Sequence, residues 1–417
     1  MTAMSPTTPP DDDGSVLRGT DADRVRAALR DGDPLPGGRG FAGLLTDPPG
    51  RTGPVLVRDV LGRQPLFAER DALDPETDRD PTAPGAWNVD RNALDDPESV
   101  PAGGVVSAGG TERVWRLPEP DATADREVAL SAVDDAVSGA LDDLAASARS
   151  ASADDGDEGD GGDLAVAFSG GVDSGVVAAA VPEAPCYVAG FEGCHDVSAA
   201  REAAGAMGRD LRVVEVTHDD LKRAVRAVAA ATDRRNPMDV AIAVPLYLTA
   251  EAAAADGFGR LAVGQGADEL FGGYSKVVDP AQDSRVDADT VRGARTETVR
   301  TLPDQLERDV LALRAAGVEP ATPLLDDRVV AAALALPDDL LVDGDERKVA
   351  LRRVTGERVP ESVATADKKA VQYGTYVSRE LDRLARRAGY KRRMDDHVGK
   401  YVEALCAEEK PADEGRN

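Results

Sequence analysis

Two glycine-rich clusters in this 417-residue chain carry the residue types that could hold phosphate. The first is Ser169-Gly170-Gly171-Val172-Asp173-Ser174, directly after an apolar run that ends at Phe168. Adjacent glycines let an anion approach the backbone, because no Cβ stands in the way. The first N–H groups of a helix beginning here lack intrahelical partners and have the positive end of the helix dipole behind them. Ser169 and Ser174 add hydroxyl donors. Taken alone, a Ser-Gly-Gly turn could be an ordinary strand-to-helix connection. It is neither a Walker loop nor a dinucleotide fingerprint, since GxxxxGK[ST] and GxGxxG are both missing here. The second cluster is Gly264-Gln265-Gly266-Ala267-Asp268-Glu269-Leu270-Phe271-Gly272-Gly273-Tyr274. By itself it could be another strand-end turn with an acidic helix start. A cation, Lys348, stands in Glu346-Arg347-Lys348-Val349-Ala350-Leu351-Arg352 and, read alone, could be a solvated helix residue.

Such clusters need strand ends to position them, and a β–α alternation is legible around both. Residues 164–168 read as a short apolar strand, followed by the glycine turn and a helical run over 175–181. Strands are expected at 186–191, 211–216 and 261–263, with helices at 197–207, 221–231 and 240–255. Strands alternating with helices imply a parallel sheet covered on both faces. Upstream, runs such as Pro54-Val55-Leu56-Val57 and Gly104-Val105-Val106 predict short strands separated by turns. Leu130, Val133, Val137, Leu141 and Leu144 recur at helical spacing, with Pro120 and Asp121 as the expected start. Residues 151–163 are low-complexity and acidic, and read as a flexible loop. Beyond Asp279 the chain reads as mainly helical, divided at Pro303, Pro320, Pro323, Pro337 and Pro360.

The full hexapeptide SGGVDS at a strand-to-helix junction resembles the pyrophosphate loop of the N-type ATP pyrophosphatases. Together with GQGADELFGGY it resembles the synthetase domain of class B asparagine synthetases, whose second motif reads GEG[SA]DE[LV]FGGY. Pro323-Leu324-Leu325-Asp326 resembles that family's PFLD segment, residues 346–352 its K-x-x-L-R helix, and Lys368-Lys369 its late basic pair. The resemblance implies an α/β fold: a parallel-sheet, adenine-nucleotide α-hydrolase-like (PP-loop) domain with a helical C-terminal part. It implies ATP and Mg²⁺, with Phe168, Ser169, Gly170, Gly171, Asp173, Ser174, Gly264 and Gln265 at the nucleotide. Asp173 and Asp268 would hold Mg²⁺, and Lys348 would neutralise pyrophosphate charge in the transition state. The implied reaction is adenylation of the aspartate side-chain carboxylate, then amide formation.

The sequence also departs from that family. Gln265 stands where the family carries Glu, thought to take a proton from attacking ammonia, and an amide is not a useful base. Asp239, in Asn236-Pro237-Met238-Asp239, is a candidate substitute, although a helix-cap role is the plainer reading. Arg58-Asp59-Val60-Leu61-Gly62-Arg63-Gln64-Pro65-Leu66-Phe67 is similar to the RDxxGxxPLY stretch of the family's glutaminase domain. Such a glutaminase needs Cys after the initiator Met; position 2 is Thr2 and the first cysteine is Cys186. The expectation is a smaller, β-rich, degenerate Ntn-hydrolase-like domain ahead of the synthetase, with free ammonia as nitrogen source.

Composition bounds the remaining classes. A net charge of −28 disfavours a nucleic-acid partner, whose phosphates require a basic face, and the abundance of Asp and Ala suits high intracellular salt. No run of roughly 18 or more apolar residues suggests a membrane span, and residues 1–14 do not resemble a signal peptide. A cytoplasmic protein is expected. Three cysteines and three histidines (His195, His218, His397) make neither a disulfide framework nor a zinc pattern; His195 is expected in a loop near the site. The expected division is a tail at 1–15, the glutaminase-like domain at 16–118, a connecting helix at 119–150, the acidic loop, the synthetase domain at 164–405 and a tail at 406–417. Aspartate and ammonia are the expected substrates, and a homodimer is left open. A PP-loop ligase using another carboxylate or amine, or a regulatory nucleotide-binding pseudoenzyme, are the alternatives.

Overall fold

The computed structural model describes residues 13–151, 164–366 and 371–407. Thr2, the acidic stretch 152–163, and Lys368 and Lys369 lie outside the described residues. Two compact units emerge, each discontinuous in sequence. One comprises Met1–Leu144, Gly264–Val310 and Thr322–Glu357; the other comprises Ala145–Val263, Leu311–Ala321 and Arg358–Asn417.

The first unit holds an antiparallel sheet of β1 (Val16–Arg18), β2 (Ala42–Leu45), β3 (Val55–Arg58), β4 (Gly104–Ser107) and β5 (Gly110–Arg113), paired in that order. Leu56 faces Val106 and Leu44 across the ladder, and with Ala42, Leu66, Ala68 and Val100 it builds an apolar core. A smaller sheet sets Phe67–Glu69 between Trp87–Asn88 and Pro97–Ser99. The turn leaving β3 is organised by its charged residues. Arg58 donates to the carbonyls of Gln64, Val100 and Gly62, while Asp59 accepts from the backbone N–H of Leu61 and Arg63. Gly62 takes φ 60°, which suits a residue without Cβ.

The second unit contains the parallel sheet that the β–α alternation predicts. Its strands are β6 (Leu164–Ala167), β7 (Cys186–Gly190), β8 (Leu211–Glu215), β9 (Arg260–Ala262) and β10 (Glu319–Ala321), in the order β8-β7-β6-β9-β10, all parallel. Helices Val172–Ala180, His195–Met207, His218–Thr232 and Pro237–Ala255 connect them. The chain runs outward from β6 to β8, then returns to place β9 on the other side of β6. That return makes a topological switch point between β6 and β9, where ligands of open α/β sheets bind beyond the carboxyl strand ends. SGGVDS follows β6, and the second glycine motif follows β9.

Several elements differ from expectation for identifiable reasons. The connecting helix starts at Arg126 rather than Asp121, because Asp125 takes the N–H groups of Glu127 and Val128; it runs to Ala151. His195 begins a helix instead of lying in a loop. The helix over 218–232 starts early because Thr217 and Asp220 form a reciprocal capping box. Pro320 does not divide helices; it sits in the edge strand β10. Glu319 N–H donates to Gly259, and Ala321 accepts from Val263 N–H, so the missing donor of Pro320 costs the ladder nothing.

Pro237–Ala255 is long and apolar enough to cross a membrane by length and composition. Its apolar residues Val240, Val244, Tyr247 and Leu248 are instead buried in the core that covers the sheet, together with Tyr187, Ala189 and Leu261. Interior packing accounts for its composition.

Candidate active site

The loop after β6 is built by short-range contacts. Phe168 is buried and its N–H donates to Tyr187, continuing the parallel ladder one residue past β6. Ser169 N–H donates to Ser174 Oγ at 3.1 Å, and the two hydroxyls lie 3.2 Å apart. Gly170 adopts φ 80°, and a Cβ there would meet Ala199 O at 2.6 Å, so glycine is required twice over. Gly171 is the N-cap of Val172–Ala180 and supplies no side-chain cap to its first N–H groups. Asp173 lies in that first turn, half-buried. Backbone N–H groups, two hydroxyls and a carboxylate form a donor set suited to phosphate and a hard cation.

The second cluster centres on an ion pair. Gly266 takes φ 88°, with Leu325 packed where its Cβ would be, and starts the short helix Ala267–Phe271. Asp268 in that helix meets Lys348 Nζ at 2.6 Å. The pair lies over Gly273, where a methyl group would overlap Asp268 Oδ1 and Lys348 Cε. Read alone, Lys348 could be a solvated helix residue, while the family resemblance makes it the cation beside pyrophosphate. The structure differs from the first reading: Lys348 is 7 % exposed and precedes the helix Val349–Thr355 as its N-cap, in the left-handed region at φ 59°. A non-glycine residue costs roughly 1–2 kcal/mol there, a cost concentrated where geometry serves function. Below the pair, Glu269 is buried and accepts from Tyr274 O–H at 2.6 Å. Burial and the adjacent Asp268 push its carboxyl up to about 7, against the pull of Tyr274 and Lys348. Arg347 caps the motif by donating to Gly273 O at 2.6 Å.

A family model for asparagine synthase matches residues 160–298 and 279–404, more than half of the chain. The chain belongs to the asparagine synthase family. It is 27 % identical over 276 residues to a putative glutamine-hydrolyzing asparagine synthetase of Methanocaldococcus jannaschii, covering 58 % of this chain and 51 % of that protein. It is 25 % identical over 229 residues to glutamine-hydrolyzing asparagine synthetase B of Escherichia coli, covering 50 % and 41 %. The chain thus spans about half the length or less of these curated relatives.

Within this asparagine synthase family member, the structure brings Asp268 to Lys348 and Ser169 to Ser174. Asp173 belongs to one compact unit and Asp268 to the other. Asp239 occupies the third position of Pro237–Ala255; its N–H donates to Asn236 Oδ1 at 2.9 Å, and its carboxylate accepts from Asn236 Nδ2 at 2.7 Å and Arg234 at 3.3 Å. That is helix-start chemistry. Asp239→Asn should therefore leave amide formation within about twofold of wild type while lowering Tm slightly. A loss of tenfold or more would restore Asp239 as a base. His218 and His397 sit against carboxylates, Glu380 and Asp382, each at 2.8 Å, and His195 stacks edge-on with Tyr376.

Asp309 has no place in the sequence motifs. It lies in Leu302–Ala315, one position from the apolar stripe of Leu306, Val310 and Leu313, and it accepts from Gln265 Nε2 at 2.6 Å. An acid beside an apolar stripe was the signal available, because a buried carboxylate requires partners.

Proposed function

We propose that this protein is an ATP-dependent amidoligase that adenylates the side-chain carboxylate of aspartate, releases pyrophosphate, and then forms the amide from free ammonia. The observation that carries the reading is Lys348: a buried amine, held at a strained backbone angle and 2.6 Å from Asp268, in the motif that follows the sheet's switch point. Ser169, Gly170, Gly171 and Ser174 would receive phosphate oxygens through backbone N–H and hydroxyl donors, with Phe168, Gly264 and Gln265 beside the nucleotide. The aspartate carboxylate attacks the α-phosphorus, and Lys348 offsets the charge that accumulates on the departing pyrophosphate. Asp173 and Asp268 would hold Mg²⁺, which when bound neutralises phosphate charge.

Two of the three cysteines speak for free ammonia. Cys186 and Cys194 are buried, and burial pushes both thiols up, away from the thiolate a nucleophile needs. The strand-turn-strand at 58–67 supports reading the N-terminal part as a degenerate glutaminase-like domain retained for packing. The curated relatives are named glutamine-hydrolyzing, which is a statement about those proteins.

The test is pyrophosphate release from ATP at high salt, with aspartate and then ammonium, and a mass spectrum of the products. Aspartate-dependent release with asparagine formed is expected. Release without asparagine would point to another nucleophile, and no release with any amino acid would leave a nucleotide-binding regulator.

A further inference from the structure

The Gln265 side chain is held at one end and is buried without a partner at the other. Its Nε2 donates to Asp309 Oδ2 at 2.6 Å, and Asp309 Oδ1 accepts from Arg308 Nε at 2.7 Å. Arg308 and Asp309 are both buried. Among the described residues, Gln265 Oε1 is buried with no hydrogen-bond partner. A carboxylate can only accept, so Asp309 dictates the orientation of the amide: Nε2 toward itself, Oε1 away. Glutamate at position 265 would set two acceptor-only, like-charged groups against each other. The departure at Gln265 is thus matched to what lies beneath it. A buried acceptor left unmade is costly, so its donor is expected to arrive with a ligand.

We infer that Asp309 is a positioning residue that locks Gln265 with its carbonyl oxygen turned toward the incoming amine. There Oε1 accepts an N–H of the nucleophile and orients the nitrogen lone pair toward the activated carbonyl. The amide cannot remove the proton; its contribution is alignment. This rests on the amidoligase function proposed above.

The readout is amide formed per pyrophosphate released, with ATP, aspartate and ammonium. Asp309→Asn lets the Gln265 amide turn over and present Nε2, which repels an N–H; the ratio should fall about tenfold, as for one lost hydrogen bond. The KM for ammonium should rise while that for ATP stays. Gln265→Glu alone should lower the ratio similarly. The double variant Gln265→Glu with Asp309→Asn should recover most of it, because the amide introduced at position 309 donates to one carboxylate oxygen and leaves the other facing the amine. Recovery in the double variant also separates misfolding from mispositioning. An unchanged ratio in Asp309→Asn, or a double variant no better than the worse single one, overturns the inference. Wild-type protein that releases no pyrophosphate with aspartate overturns the proposed function instead.

Discussion

Replacing Lys348 by alanine should lower aspartate-dependent pyrophosphate release by roughly a thousandfold, the scale expected when a preorganised charge-stabilising donor is removed from an active site. The geometry makes the expectation sharp. Lys348 Nζ is already fixed by Asp268 at 2.6 Å, the side chain is 7 % exposed, and Gly273 leaves space that any larger residue would fill. An amine placed in advance needs no reorganisation as charge develops on the leaving pyrophosphate. The backbone supplies an internal control. At φ 59° alanine remains strained but glycine does not. Lys348→Gly should therefore melt no lower than Lys348→Ala, yet be equally inactive. Should either variant keep more than about a tenth of wild-type release, Lys348 serves the fold rather than the chemistry, and the proposed function loses its main support.

The parallel sheet was legible because its signal is local. Apolar runs such as residues 164–167 and 186–190 cannot be solvated, and the helices between them show their apolar faces. The glycine loop after β6 was legible for the same reason: two glycines and two serines act on a backbone within their own hexapeptide. What escaped reading depends on distant partners. Pro320 looked like a breaker, and only its place at a sheet edge makes it harmless. Lys348 looked like part of a helix because Val349–Thr355 follows it; its left-handed angle answers to Asp268 and Gly273, far away in sequence. Asp309 carries no motif at all, and its meaning appears only beside Gln265. Gln265 was visible as a departure from the family pattern, but the compensating carboxylate was not.

Arg63→Ala should destabilise the protein by about 3–5 kcal/mol, the usual cost of leaving buried charge without its partner. Arg63 is clasped by Asp59 at 2.8 Å and Asp327 at 2.7 Å, with all three side chains 4 % exposed or less. Its Nη1 also donates to Leu325 O at 2.8 Å, and Gly37 N–H holds the other oxygen of Asp327 at 2.9 Å. Removing the guanidinium leaves two carboxylates facing each other in a desolvated site. A Tm lowered by about 10 °C, or an equivalent shift in urea midpoint, is the expected reading. Arg63→Lys should recover little, since one ammonium cannot reproduce the fork that spans both carboxylates and the carbonyl. The consequence reaches the site through Leu325. Its carbonyl is held by Arg63 while its side chain packs against Gly266, at the start of the helix that carries Asp268. Pyrophosphate release should therefore fall along with stability in Arg63→Ala, even below the melting transition. A variant that melts like wild type would show this network to be replaceable. One that melts early but turns over normally would show that the clasp supports the fold without aligning Asp268 and Lys348.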